Sequence, residues 1–132
     1  MKKIFCLFAM LSVALVSCDD EPEVAENCVN YKRSKISEVV LEDTTVNVNE
    51  DLPIELTYEL VNSCGNFYDF EVNRDVNNYV IKVKSKYEGC TCNEMISSKN
   101  TTYYFRSTQT GVYTLHFSVS NDQYITKTVT VI

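Results

Sequence analysis

The residues with which this chain could do chemistry are few: four downstream cysteines, a single histidine and scattered carboxylates. Cys90-Thr91-Cys92 is the sharpest local feature, and Cys28 and Cys64 lie upstream of it. Sulfurs in this number support three chemistries. They can pair as disulfides, ligate a soft metal or zinc together with Met95 and His116, or cycle as redox thiols. Structural zinc sites usually separate their cysteines by two to four residues, whereas Cys90 and Cys92 are separated by one. An even count in an exported chain reads first as two disulfides, with three pairings open. A bond from Cys90 to Cys92 would close a very tight ring of poor geometry. The expectation is therefore Cys64 with one of them and Cys28 with the other. A metal-binding or thiol-redox protein using Cys64, Cys90 and Cys92, with His116 as a further ligand, is the alternative.

Nucleophilic catalysis would need His116, which falls opposite Tyr113, Leu115 and Phe117 in an alternating run and so points outward. No Gly-x-Ser-x-Gly element, zinc-protease helix or phosphate-cradling loop is present, and three glycines leave little to build one from. Asp69 and Glu71 could in principle serve acid–base chemistry, yet two acids on one exposed strand face are ordinarily a solvated face. The expectation is a protein without catalytic activity and without a cofactor.

Whether the cysteines oxidise depends on where the chain goes, and its start addresses that. Met1-Lys2-Lys3 is basic, and residues 4–16 are almost wholly apolar. Charge followed by a short hydrophobic run is the order an export translocon reads. The run is shorter than the roughly 20 residues a membrane helix needs. Leu15-Val16-Ser17-Cys18 resembles the lipobox of bacterial lipoproteins. That resemblance implies a signal peptide over 1–17 and Cys18 as a lipidated N-terminus carrying a diacylglycerol and an N-acyl chain. Asp19-Asp20-Glu21 resembles the acidic export signal of surface lipoproteins in Bacteroidetes-type bacteria, which implies the outer-membrane surface. Under enterobacterial rules the same aspartate implies inner-membrane retention, so a periplasm-facing location is the alternative. Asp43-Thr44-Thr45 resembles the short O-glycosylation sequon of such envelope proteins, making Thr44 a candidate site.

Removing residues 1–17 takes Lys2 and Lys3 from the 12 basic residues and none of the 18 acidic ones, leaving a net charge of −8. Nucleic acid is not an expected partner for such a chain, because phosphate binding needs a positive footprint. About 115 mature residues suit one domain with one core. Residues 18–30 read as the lipidated cysteine and an acidic tether, and 31–132 as the folded domain.

Within that domain the pattern is strand after strand. Leu52, Ile54, Leu56, Tyr58 and Leu60 alternate with polar residues, a period of two that buries one face. Tyr68, Phe70 and Val72 share the next inner face, and Tyr79, Ile81, Val83 and Tyr87 the one after. Lys82, Lys84 and Lys86 line the outside of that third strand, as charges protecting a sheet edge would. Glu94 to Asn100 reads as a loop. Strand character returns over 101–106, in Tyr113, Leu115, Phe117 and Val119, and from Tyr124 to Ile132. Tyr104, Tyr124 and Phe67 fall on the less buried phase and could form an aromatic patch.

About seven short strands without a convincing helix suggest an all-β, disulfide-stabilised antiparallel β-sandwich. Gly111-Val112-Tyr113-Thr114-Leu115 resembles the start of strand F in immunoglobulin-like and fibronectin-like domains. That resemblance implies a tyrosine bonding back to upstream backbone. The chain departs from antibody domains in lacking tryptophan and in having Leu115 where the second cysteine would stand. A fold of this kind carries no activity by itself. The functional expectation is a binding or accessory module of the cell envelope, held to the membrane by its lipid. Its partner would be an envelope protein or glycan, contacted through loops or an outer sheet face, with the cysteine-pinned loop from Glu88 to Asn100, bearing Thr91, Asn93 and Met95, as the expected place.

Overall fold

The computed structural model describes residues 27–132. Nine strands follow one another: β1 (Val29–Ser34), β2 (Ile36–Val40), β3 (Thr45–Val46), β4 (Leu52–Leu60), β5 (Gly65–Asp75), β6 (Asn78–Glu88), β7 (Ser97–Phe105), β8 (Gly111–Ser120) and β9 (Gln123–Val131). They form two sheets, one of six strands in the order β1-β6-β8-β9-β3 with β5 also on β6, the other β2-β4-β7. The arrangement is a mixed β-sandwich.

The period-two pattern that defines the strands also fills the core. In β4 the side chains of Leu52, Ile54, Leu56, Tyr58 and Leu60 are all buried, and the intervening ones face out. Across from them lie Ile81, Val83, Leu115, Phe117, Val129 and Val131, and Tyr103 and Phe105 of β7 complete the layer. Aromatic edges interlock the two sheets: Tyr103 packs on Phe117 at 6.3 Å and Phe105 on Tyr113 at 5.3 Å between ring centroids. Such pairs add stabilisation beyond the area they bury. The buried hydroxyls of Ser34 and Ser85 satisfy each other at 2.6 Å, where the chain leaves β1 for the other sheet. Among the described residues no buried side-chain nitrogen or oxygen lacks a partner.

Several expectations are corrected. Two strand pairs are parallel, β3 with β9 and β6 with β8, so the sandwich is not purely antiparallel. The chain passes from β6 through β7 in the opposite sheet and re-enters beside β6 in the same direction. A parallel pair requires such a crossover. Alternation assigns faces but not strand order. Here the strand buried at every inner position, β6, takes the interior place, and the more exposed β5 takes the edge. Lys82, Lys84 and Lys86 consequently do not protect an edge; they stand on the outer face of a strand paired on both sides. There are nine strands rather than about seven, because the first stretch divides between the sheets and β1 extends back to Val29, inside the segment read as tether. Its pairing with β6 and the bond of Cys28 to Cys90 order it. Residues 97–100 are strand, paired to β4 through Ser97 with Leu60 and Asn100 with Thr57.

A bulge between Phe67 and Asp69 changes the face of Tyr68. An extra residue in one strand shifts its alternation. Phe67 therefore joins Phe70 and Val72 on the inner side, packing against Tyr58 and Phe70, and Tyr68 turns outward. Tyr113 behaves as its resemblance implied: its hydroxyl donates to the carbonyl of Gln109 at 2.9 Å, and the Ser107 hydroxyl donates to it at 2.7 Å.

Burial raises the pKa of the Tyr58 and Tyr103 hydroxyls above the ordinary tyrosine value. Each raised pKa means the folded protein holds a proton that the unfolded chain releases near pH 10. Their contribution is fully present below that pH and is lost as pH rises through the folded value. The melting temperature should be level from pH 7 to about 9 and fall above 10, more gently in Tyr103→Phe. A melting temperature unchanged to pH 12 would contradict the burial of these hydroxyls.

Candidate functional site

Two disulfides close one end of the sandwich. Cys28 is bonded to Cys90 and Cys64 to Cys92, with Cα separations of 5.0 and 5.7 Å. Each upstream cysteine thus takes one member of the Cys-x-Cys pair. The end of β4, the starts of β1, β5 and β7 and the end of β6 meet here. Asn62 Oδ1 accepts a hydrogen bond from the Cys64 amide at 2.9 Å, shaping the turn into β5. Gly89 has φ of 138°, and a Cβ there would lie 2.9 Å from Cys64 Sγ, so the close approach of this sulfur requires glycine.

The loop residues expected to make contacts are placed by this scaffold. Asn93 is held at both backbone groups, its amide donating to Ser63 Oγ at 2.9 Å and its carbonyl accepting from the Ser63 amide at 3.0 Å. Glu88 is ion-paired with Lys86, and Thr91 is exposed between the two bonded cysteines. Met95 is 59 % exposed and Ile96 beside it 74 % exposed. All four sulfurs are bonded to sulfur, so metal or redox use of Cys64, Cys90 and Cys92 would first need those bonds reduced. His116 does not belong to this group. It pairs with Val80, eight residues along β6 from Glu88, which at strand rise is about 26 Å away. Its Nδ1 is 3.0 Å from Thr126 Oγ1 instead. Among the described residues no group of three or more His, Cys, Asp or Glu side chains is arranged to hold a metal ion.

Thr44 is exposed in the turn before β3, and its carbonyl accepts from the Thr130 amide at 2.8 Å. Cys18 lies outside the described residues. Asp69 and Glu71 both stand on the exposed side of β5, Glu71 committed to Arg33.

A second surface lies on the outer face of the six-stranded sheet. Tyr31 of β1 and Tyr68 of β5 meet edge to face across β6, ring centroids 4.7 Å apart. Lys84 of β6 stands beside both, its Nζ 5.6 Å from the Tyr31 ring and 5.9 Å from the Tyr68 ring. The rings remain 43 % and 50 % exposed. Arg33 reaches over β6 to grip Glu71 with two hydrogen bonds, Nη2 to Oε1 at 2.8 Å and Nε to Oε2 at 3.1 Å. That hydrogen bonding, with Lys82 and Lys84 nearby, holds the Glu71 carboxyl below the usual carboxylate range. The pair is exposed, so solvent screens it and it orders the surface more than it stabilises the fold.

Tyr104, Tyr124 and Phe67 do not form the patch that alternation suggested. Tyr104 is outward on β7, Tyr124 lies beside His116 on the other sheet, and Phe67 is turned between the sheets. Sequence reasoning missed the Tyr31, Tyr68 and Lys84 group for two reasons. Tyr31 adjoins Lys32, Arg33 and Lys35, a basic cluster that in the sequence alone reads as a solvated segment, and Tyr68 reaches the surface only through the bulge. At the far end, open depressions are lined by charged side chains, Asp43, Glu50 and Asp51 in one and Arg74 and Arg106 in another.

The two disulfides point to an extracytoplasmic location, since such bonds form and persist in oxidising surroundings. No curated protein and no solved structure matches the chain. The family model of the ORF11 beta-sandwich domain matches residues 54–131, from the second residue after the start of β4 to the end of β9. That match covers more than half of the chain, including the β5–β6 hairpin with Tyr68 and Lys84 and the Cys-x-Cys loop, and the protein belongs to the ORF11 beta-sandwich domain family.

Proposed function

We propose that the protein is a lipid-anchored binding module of the cell envelope that acts without catalysis, and that it recognises its partner through the outer face of the six-stranded sheet. The observation that carries this reading is the Tyr31, Tyr68 and Lys84 group. Two half-exposed rings held by a cation give rigid apolar area at small entropic cost, and tyrosine is enriched where proteins bind one another. Lys82 and Lys84 put positive charge beside the rings on an acidic chain, which favours an acidic group of an envelope protein or glycan at that point. The lipobox-like segment ending at Cys18 and the acidic residues after it support an outer-membrane anchor exposed at the surface. The Tyr113 corner supports an immunoglobulin-like lineage for the sandwich, from which the inner placement of β6 departs.

The test is capture of envelope components by the anchored protein, compared between wild type and Tyr31→Ser/Tyr68→Ser/Lys84→Ser. These side chains are surface groups, so the melting temperature should move by only a few degrees. Loss of three central contacts should weaken capture at least tenfold, since truncating a few central residues commonly removes most binding energy. Undiminished capture by the triple variant would remove this face from the account.

A further inference from the structure

We infer that the disulfide-closed end of the sandwich rests on the membrane that holds the anchor, with Val61, Met95 and Ile96 dipping into the lipid headgroup boundary. This rests on the lipid-anchored reading and adds an orientation and a lipid contact to it.

The chain's own geometry decides which end is near the bilayer. The described chain starts at Asn27, whose carbonyl bonds the Val29 amide, and Cys28 is fixed at once to Cys90. The folded domain is therefore tied to Cys18 through its disulfide end. Nine peptide steps separate Cys18 from Asn27, a reach of at most roughly 30 Å when fully extended. β6 alone has 11 residues and spans about 36 Å from that end to the other. A stretched tether running back along the domain falls short of the far end.

The near end is also the one with a suitable surface. Leu60 and Ser97 form the last rung between β4 and β7, so Val61 and Ile96 flank the rung just beyond it. The bonds between Ser63 and Asn93 hold the two turns together. Val61 is 48 % exposed, beside Met95 and Ile96, giving three aliphatic side chains at one tip. Glu88 at this end is neutralised by Lys86, which leaves Glu94 as the carboxylate adjoining the tip. The far end carries exposed Val76 and Ile132, but they are set among Arg74 and Arg106, and Asp43, Glu50 and Asp51, respectively. Apolar side chains on a rigid support, already held near a bilayer, gain by leaving water for its boundary. Two disulfides keep the tip from folding back.

One consequence concerns recognition. The loop from Gly89 to Ile96 faces lipid, and the Tyr31, Tyr68 and Lys84 face, on the side of the domain, stays open to partners.

The chain has no tryptophan, so a single introduced one reports its surroundings without interference. Lipidated full-length protein carrying Ile96→Trp, purified from membranes, is reconstituted into phosphatidylethanolamine and phosphatidylglycerol vesicles containing a dibrominated phosphatidylcholine. Thr108→Trp, exposed at the far end, is the comparison. Indole emission from the Ile96→Trp protein should shift to the blue and lose at least half its intensity to the bromines, and emission from the Thr108→Trp protein should do neither. Adding Val61→Ser and Met95→Ser to Ile96→Trp should reduce that quenching at least threefold, which separates the tip's own affinity from that of the new indole. Ile96→Trp protein that sediments with vesicles yet stays unquenched overturns the inference and leaves the anchor standing. Protein that carries no acyl mass and does not sediment overturns both. A blue shift that grows with protein concentration without vesicles identifies a second copy as the occupant, and the lipid contact is then wrong.

Discussion

Reduction of the two disulfides should leave the domain largely unfolded at 37 °C. Cys28–Cys90 closes a separation of 62 residues and Cys64–Cys92 one of 28. On the chain-entropy model these restrict the unfolded state by about 4 and about 3.5 kcal/mol. The loops overlap, so the two contributions are not independent, but together they are comparable with the whole stability of a small domain, roughly 5–15 kcal/mol. The bonds also hold structure that few buried side chains secure. β1 is exposed along most of its length and the turns at 61–64 and 89–96 contain few buried side chains. Replacing either pair by alanine should lower the melting temperature by more than about 15 °C, at several degrees for each kcal/mol in a domain of this size. Circular dichroism melts with and without reductant measure this. A shift below about 5 °C would show that the core in β4, β6, β8 and β9 suffices, and the disulfides would need another purpose.

Replacing Cys18 by alanine should move the protein from the membrane fraction to the aqueous one. Each buried methylene of an acyl chain contributes about 0.8 kcal/mol to anchoring, and two or more chains hold a protein where one does not. No helix among the described residues is long and apolar enough to cross a membrane, so nothing described in the domain substitutes for the lipid by that route. The docking tip is too small to do so, because three side chains offer far less apolar surface than acyl chains. Fractionation of cells expressing wild type and Cys18→Ala should show near-complete redistribution. Retention of the variant in the membrane fraction would mean that the leader stays uncleaved or that a bound partner holds the domain.

Strand faces were legible in the sequence wherever alternation ran undisturbed. Leu52 to Leu60 and Tyr79 to Tyr87 place every inner side chain in the core, and Tyr113 forms its corner, because period-two burial and a turn glycine are local signals. The division of the four cysteines between the Cys-x-Cys pair and the two upstream positions was legible from ring geometry alone, though not which went to which. Strand order was not legible. Whether β5 or β6 neighbours β8 depends on the burial each can gain from the opposite sheet, a property of the assembled core. The outward turn of Tyr68 depends on one bulged residue, and Phe67 and Tyr68 are both aromatic, so either phase fits the alternation. Tyr31 was hidden because a strand exposed along nearly all its length has no buried face to betray it. The surface that carries the proposed function therefore came from the fold, and the proposed address from the sequence.

Export, lipidation and oxidation of the chain are tested at once by the intact mass of the protein purified from membranes. The expected mass is that of the chain from Cys18 onward plus a diacylglycerol and an N-acyl chain, less four hydrogen atoms, and unchanged by alkylation without reductant. A mass that retains residues 1–17, lacks acyl chains, or gains four alkyl groups before reduction would contradict it.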